Sequence, residues 1–199
     1  MYRAFYILLI TSVFFCSSTQ PTQEDIKKKR ENERELQRRI KKEKLPEFHR
    51  YSLLREWHPW MNIYQYNTIR KYSNKYKLNP SLVMALILYT SGGNAGAQGP
   101  LTTVKVKKDG KWITWEERPQ GLMYVMSYMS EGPVEELYRV EPNIKAGTKH
   151  LAWCLRKANN RLKDALKNYD SGAGSTNYNK EFITNVVKMY QNTKHVWQL

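Results

Sequence analysis

Residues 78–94 read LNPSLVMALILYTSGGN, and this stretch decides the fold. Asn79-Pro80 is a helix start: a side chain able to cap free backbone N–H groups, then a proline in the first turn, where its missing N–H costs nothing. Leu82, Val83, Leu86 and Ile87 follow at helical spacing and predict a buried face. Gly92-Gly93 favours a left-handed or open backbone, so the helix is expected to end near Ser91. Working outward, Asn62 to Lys77 places Ile63, Tyr66, Ile69, Tyr72 and Tyr76 three or four residues apart, which predicts another helix. Downstream, Val104 to Trp115 is different. Asp109-Gly110 is a two-residue hairpin turn, and pairing outward from it sets Val106 opposite Ile113 and Val104 opposite Trp115, all on one face, with Lys105, Lys107 and Thr114 on the other. Three more helical stripes span 143–157 (Ile144, Gly147, Leu151, Leu155), 161–169 (Leu162, Ala165, Leu166, Tyr169) and 180–191 (Phe182, Val186, Met189, Tyr190). The expectation is a mainly α domain with one inserted β-hairpin.

The chain of 199 residues carries a net charge of +15, which draws it to polyanions: nucleic acid, anionic lipid or an acidic cell-wall polymer. The N-terminus argues against the first. Arg3 precedes a mostly apolar run from Ala4 to Phe15, with Ser17 and Ser18 after it, as in a secretory signal. Two processing routes are open: cleavage after Ser18, or lipidation of Cys16 as in bacterial lipoproteins, although Phe15 is bulky for the latter. With only two cysteines in the chain, no disulfide framework is available, and Cys154 reads as a buried structural thiol. Residues 22–44 include KKKRENERELQRRIKKEK, rich in charge and helix formers but poor in apolar residues. They read as a solvated helix or a disordered tether, and could meet an anionic membrane surface. The expected organisation is therefore a signal segment at 1–18, a charged tether at 19–50 and a folded domain at 51–199, exported to the periplasm or cell envelope. His49, His58, His150 and His195 are scattered without zinc spacing, and no phosphate-cradling glycine loop is present, so no metal or cofactor is expected. No nucleic-acid recognition motif accompanies the charge. The sequence does not fix an oligomeric state.

Five segments taken in order resemble the soluble lytic transglycosylases, relatives of goose-type lysozyme. LNPSLVMALILYTSGGN is similar to the helix that ends in Glu-Ser in that family. PQGLMYVM (119–126) is similar to its Gly-Leu-Met-Gln segment, PNIKAGTKHLAWCL (142–155) to its Asn-Ile-x-x-Gly-x-x-x-Leu helix, ALKNYDSGAG (165–174) to its Ala-x-x-x-Tyr-Asn-x-Gly segment, and FITNVVKMY (182–190) to its closing helix. Each is weak alone; five in sequence over 67–190 are not. The resemblance implies a lysozyme-like domain whose ligand is the glycan strand of peptidoglycan. It also implies a substrate-binding set of Ser91, Gly121, Leu122, Met123, Tyr124, Tyr169 and Asp170. Family chemistry needs one partly desolvated glutamic acid, which protonates the glycosidic oxygen and then assists attack by the sugar's own hydroxyl.

That glutamate position is Thr90 in this chain. A threonine hydroxyl is far too weak an acid for the task, and losing a positioned acid costs about 10²–10⁴-fold. Two further departures are Tyr124, where the family has glutamine, and Asp170, where it has asparagine. Glu116 and Glu117, just before Gly121, are the candidate replacement acids, though hairpin-end residues are ordinarily just solvated. Three functional readings stand at this point: a peptidoglycan-binding protein impaired in catalysis, an active lytic transglycosylase with a relocated acid, and an envelope scaffold that uses the old groove for a protein partner.

Overall fold

A computed structural model describes Glu24, Glu31, Arg55 and residues 58–172, 175, 178–193 and 197. The signal segment with Cys16, and nearly all of the tether, lie outside the described residues. The fold below is that of the unit beginning at Arg39.

Five α-helices and one hairpin make up the described domain: α1 (Ile63–Tyr76), α2 (Pro80–Ser91), β1 (Thr102–Lys108), β2 (Lys111–Glu117), α3 (Val140–Lys157), α4 (Leu162–Ser171) and α5 (Lys180–Thr193), with 3₁₀ turns η1 (Ser127–Met129) and η2 (Val134–Tyr138) ahead of α3. The mainly helical expectation with a single hairpin holds. Asn62 and Gln65 form a reciprocal capping box at the start of α1, and Lys77 closes it in the left-handed region (φ 57°). Asn79 accepts from the Ser81 N–H at 2.8 Å, Pro80 occupies the first turn, and Gly92 (φ 61°) ends α2 as its sequence requires. The later helices run slightly past the expected bounds. α3 begins at Val140, because Pro142 falls within the first turn, where no intrahelical N–H is needed.

α2 differs more. Rather than one buried face it has seven consecutive buried residues, Ser81 to Ile87. It is the central helix, packed against α1 on one side and α5 on the other, while α3 packs on α1 and α4. Ser81 meets this burial by donating its hydroxyl to the Thr193 carbonyl at 2.8 Å, which ties the start of α2 to the end of α5. Ile69, Leu86, Leu122, Ile144, Leu151, Leu166 and Val186 fill the core between them. Cys154 is fully buried there, and burial pushes its thiol up to about 12, so it is the inert structural cysteine expected.

The hairpin has the register expected, Val104 opposite Trp115 and Val106 opposite Ile113, and extends two further pairs beyond 104–115, to Thr102 and Glu117. Its neck is pinned where Gly99 N–H donates to the Pro119 carbonyl and Gly121 N–H to the Ala97 carbonyl, both at 2.8 Å. The insertion therefore leaves and re-enters the helical body at one place, and sets Gly121 directly beside the end of α2.

Candidate functional site

The five segments that carried the sequence resemblance are far apart in the chain, yet four of them converge on the loop 120–125. Gln120 and Val125 exchange both backbone hydrogen bonds at 2.9 Å, closing that loop on itself. Helix α2 reaches it through two hydroxyls: Thr90 Oγ1 donates to the Leu122 carbonyl at 2.7 Å and Ser91 Oγ to the same oxygen at 2.9 Å. Helix α3 reaches it through Asn143, 1 % exposed. Its Oδ1 accepts from Met123 N–H at 2.8 Å, while its Nδ2 donates to the carbonyls of Gln120 and Leu137, both at 2.7 Å. Helix α4 reaches it through Tyr169, whose hydroxyl donates to the Met123 carbonyl at 2.8 Å.

Two glycines make room for this convergence. Gly121 has φ 73°, and a Cβ there would stand 2.2 Å from Asn143 Nδ2 and 2.3 Å from the Leu137 carbonyl. A Cβ on Gly147 would stand 2.7 Å from Met123 Cβ and Sδ. Any larger residue at either position drives the loop away from α3.

The candidate residues fall into distinct places. Gly121, Leu122, Met123 and Tyr169 are buried, so their side chains position the loop and present little surface. Thr90 and Ser91 are half-buried at the end of α2, and the single proton of each hydroxyl is shared between the Leu122 carbonyl and a carbonyl of its own helix, Leu86 for Thr90 and Ile87 for Ser91. Tyr124 is half-buried with a left-handed backbone, φ 49°. Its ring lies against Gly99, where a Cβ would meet ring carbons at 3.1 Å, so it braces the hairpin neck. Asp170 is exposed and accepts from Asn179 N–H at 2.8 Å, which fastens the connection into α5.

The two glutamates separate as well. Glu116 is exposed on β2 opposite Thr103. Glu117, half-buried, is a bracket for η1: it accepts from Ser127 N–H at 2.8 Å, from the Ser127 hydroxyl, and from Trp115 Nε1 at 2.9 Å. All three partners lie within the domain, so the carboxylate ties the end of β2 to η1.

Asn143 and an aromatic group behind the loop were not singled out from sequence. His150 lies within ring contact of Tyr128 (6.1 Å), Trp153 (5.5 Å, stacked) and Tyr169 (5.3 Å). Burial holds the His150 imidazole down at about 4, pushes the Tyr128 phenol up to about 12 and raises that of Tyr169 well above its ordinary range. At neutral pH all three are uncharged. The signal for Asn143 was present in the spacing: it stands four residues before Gly147, on the stripe that faces Met123. Among the described residues no cluster of His, Cys, Asp or Glu is arranged to hold a metal. A cleft of about 580 Å³ opens elsewhere, between Tyr64 and Tyr72 of α1 and Glu141, Lys145 and Lys149 of α3, and none of the candidate residues lines it.

The site is thus a loop held by neutral side chains, the hydroxyls of Thr90, Ser91 and Tyr169 and the amide of Asn143, with no carboxylate among them. A family model described as Transglycosylase SLT domain matches residues 67–185, more than half of the chain and all four segments that meet at the loop. No curated protein and no solved structure matches the chain.

Proposed function

The chain belongs to the transglycosylase SLT domain family, and from that premise we propose that it is a peptidoglycan-binding member whose catalysis is impaired because Thr90 occupies the acid position. Membership carries the coarser statement by itself: the function is peptidoglycan-related and lytic-transglycosylase-like, exercised at the cell envelope. The observation that carries the finer one is the pair of hydroxyls on the Leu122 carbonyl, at 2.7 Å from Thr90 and 2.9 Å from Ser91. The Thr90 hydroxyl is spent on holding the loop. It is a donor aimed at protein backbone, and even if freed it is too weak an acid to protonate a glycosidic oxygen near neutral pH.

The replacement acids fit the role poorly. A general acid in this chemistry works from a partly desolvated, protonated state. Glu116 is exposed to water, and the Glu117 carboxyl oxygens are engaged by Ser127 and Trp115 rather than turned to a ligand. Glycan binding, by contrast, asks only for a stable loop with polar surface beside it. Thr90, Ser91, Tyr124 and Asp170 offer that surface, while Gly121, Leu122, Met123 and Tyr169 keep it in place. The segment at 1–18 and Cys16, read as an export signal or lipid anchor, would deliver the domain to its polymer, and no described helix is long and apolar enough to cross a membrane.

Purified peptidoglycan tests the reading directly. The protein is expected to sediment with intact sacculi and to release no anhydro-muropeptides detectable by mass spectrometry. Anhydro-muropeptide release that disappears in Glu116→Gln or Glu117→Gln would overturn it in favour of a relocated acid.

A further inference from the structure

The hairpin is the part of the molecule that the loop chemistry leaves unexplained. Its strands pair with each other into a two-stranded sheet, and no helix packs substantially on either. At seven residues each the strands reach roughly 23 Å from neck to tip. A bare two-stranded sheet is marginal in water, and this one keeps large apolar groups exposed at its far end: Trp112 is 61 % and Ile113 46 % exposed. Neighbours in a strand point to opposite faces, so each face of the tip carries one of them. Lys105, Lys107, Lys108 and Lys111 surround them; Asp109 in the turn is the one acid at the tip, and Glu116 and Glu117 lie at the neck end of β2.

We infer that this tip is a docking arm for an anionic bilayer surface, with Trp112 and Ile113 entering the headgroup layer and the four lysines meeting lipid phosphates. Tryptophan and lysine are suited to that boundary, because each has an apolar body and a polar end that remains wet. A flat partner would meet one face only and leave the other apolar residue in water. A headgroup layer entered end-on takes both. A sugar stacked on Trp112 is disfavoured further, because the Lys105 ammonium already sits over that ring, 5.2 Å from its centroid. The same cation is well placed for a phosphate just outside the ring. The inference does not depend on what Thr90 does.

Hydrogen exchange on the full chain, read by mass spectrometry segment by segment, tests it without confusion from an anchor elsewhere. Vesicles containing phosphatidylglycerol are expected to slow exchange across 103–114, whereas pure phosphatidylcholine vesicles leave it unchanged. With each lysine near an anionic surface contributing about 1 kcal/mol, Lys105→Gln with Lys107→Gln should raise the lipid needed for half-protection by roughly 30-fold, and Trp112→Ala should weaken it further. Unchanged exchange in 82–87 verifies that the variants remain folded. Equal protection by both vesicle types, or none by either, would refute the arm. So would protection by purified glycan strands in place of vesicles, which would make the hairpin part of the polymer site. Muropeptide release measured on the same samples reports on Thr90 separately.

Discussion

Replacing Asn143 by alanine is the perturbation with the sharpest consequence. The side chain is 1 % exposed and makes three hydrogen bonds, to Met123 N–H at 2.8 Å and to the Gln120 and Leu137 carbonyls at 2.7 Å. Alanine strands Met123 N–H and the Leu137 carbonyl, while the Gln120 carbonyl keeps the bond it accepts from Val125 N–H. A buried polar group stranded in this way costs about 1–3 kcal/mol, and partial relaxation around the small cavity keeps the total for the two groups near the lower bound of the sum, about 2–4 kcal/mol. For a domain of this size about 1 kcal/mol moves Tm by roughly 2–4 °C, so thermal unfolding followed by circular dichroism should show a fall of at least about 4 °C. Asn143→Asp should be no better than alanine. It keeps an acceptor for Met123 N–H but turns a second oxygen toward two carbonyls, and its charge is buried. Asn67→Ala on the exposed side of α1 is the matched control and should change stability by less than about 0.5 kcal/mol. A loss below about 1 kcal/mol in Asn143→Ala would refute the argument that this one side chain holds the loop.

Gly147→Ala would ordinarily stabilise a helix interior by about 1 kcal/mol. Here the added methyl meets Met123 at 2.7 Å, so the sign should reverse to a loss of about 1–3 kcal/mol in denaturant unfolding. Tyr169→Phe removes the donor to the Met123 carbonyl and should cost about 1–3 kcal/mol by the same measurement. The His150 imidazole titrates at about 4 in the fold and near 6.5 when unfolded. As pH falls below the unfolded value, the unfolded chain takes up the proton first. Stability present above pH 6.5 is then lost progressively down to about pH 4, by an amount on the order of 3 kcal/mol. His150→Phe should flatten that part of the stability–pH curve, and an NMR titration of His150 in the folded protein should show no protonation at pH 6. Finally, Thr90→Glu should yield anhydro-muropeptides from peptidoglycan that the unmodified protein does not release. Products from neither form would mean that the loop, as well as the acid, has diverged.

Caps, turn and periodicity exposed most of the architecture to a reader of sequence, because each is a local matter. Asn79-Pro80 sets its helix start within three residues, and Asp109-Gly110 sets the hairpin register by symmetry about itself. Burial is not local. Ser81 and Thr148 read as polar positions, yet both are fully buried; the partner that permits Ser81 is a carbonyl 112 residues away. The same distinction divides the site. Gly121, Gly147 and Tyr169 were legible as members of a pattern, but the pattern does not state that they serve one loop, nor that Asn143 holds its centre. Those facts depend on backbone groups, which every sequence possesses and none displays. Tyr124 and Glu117 show what one letter leaves out: the Tyr124 ring rests against Gly99, and the Glu117 carboxyl group is engaged by Ser127 and Trp115. Thr90 is the converse case. That it carries a hydroxyl and no carboxyl follows from one letter, while its bond to the Leu122 carbonyl does not. A carboxylate at that position could not donate to the Leu122 carbonyl when ionised, whereas threonine donates at 2.7 Å. On the proposed reading, Thr90 exchanges a proton source for a clamp on the loop. Thr90→Glu should accordingly lose stability as the carboxylate ionises, at the same time as it regains the means to cut.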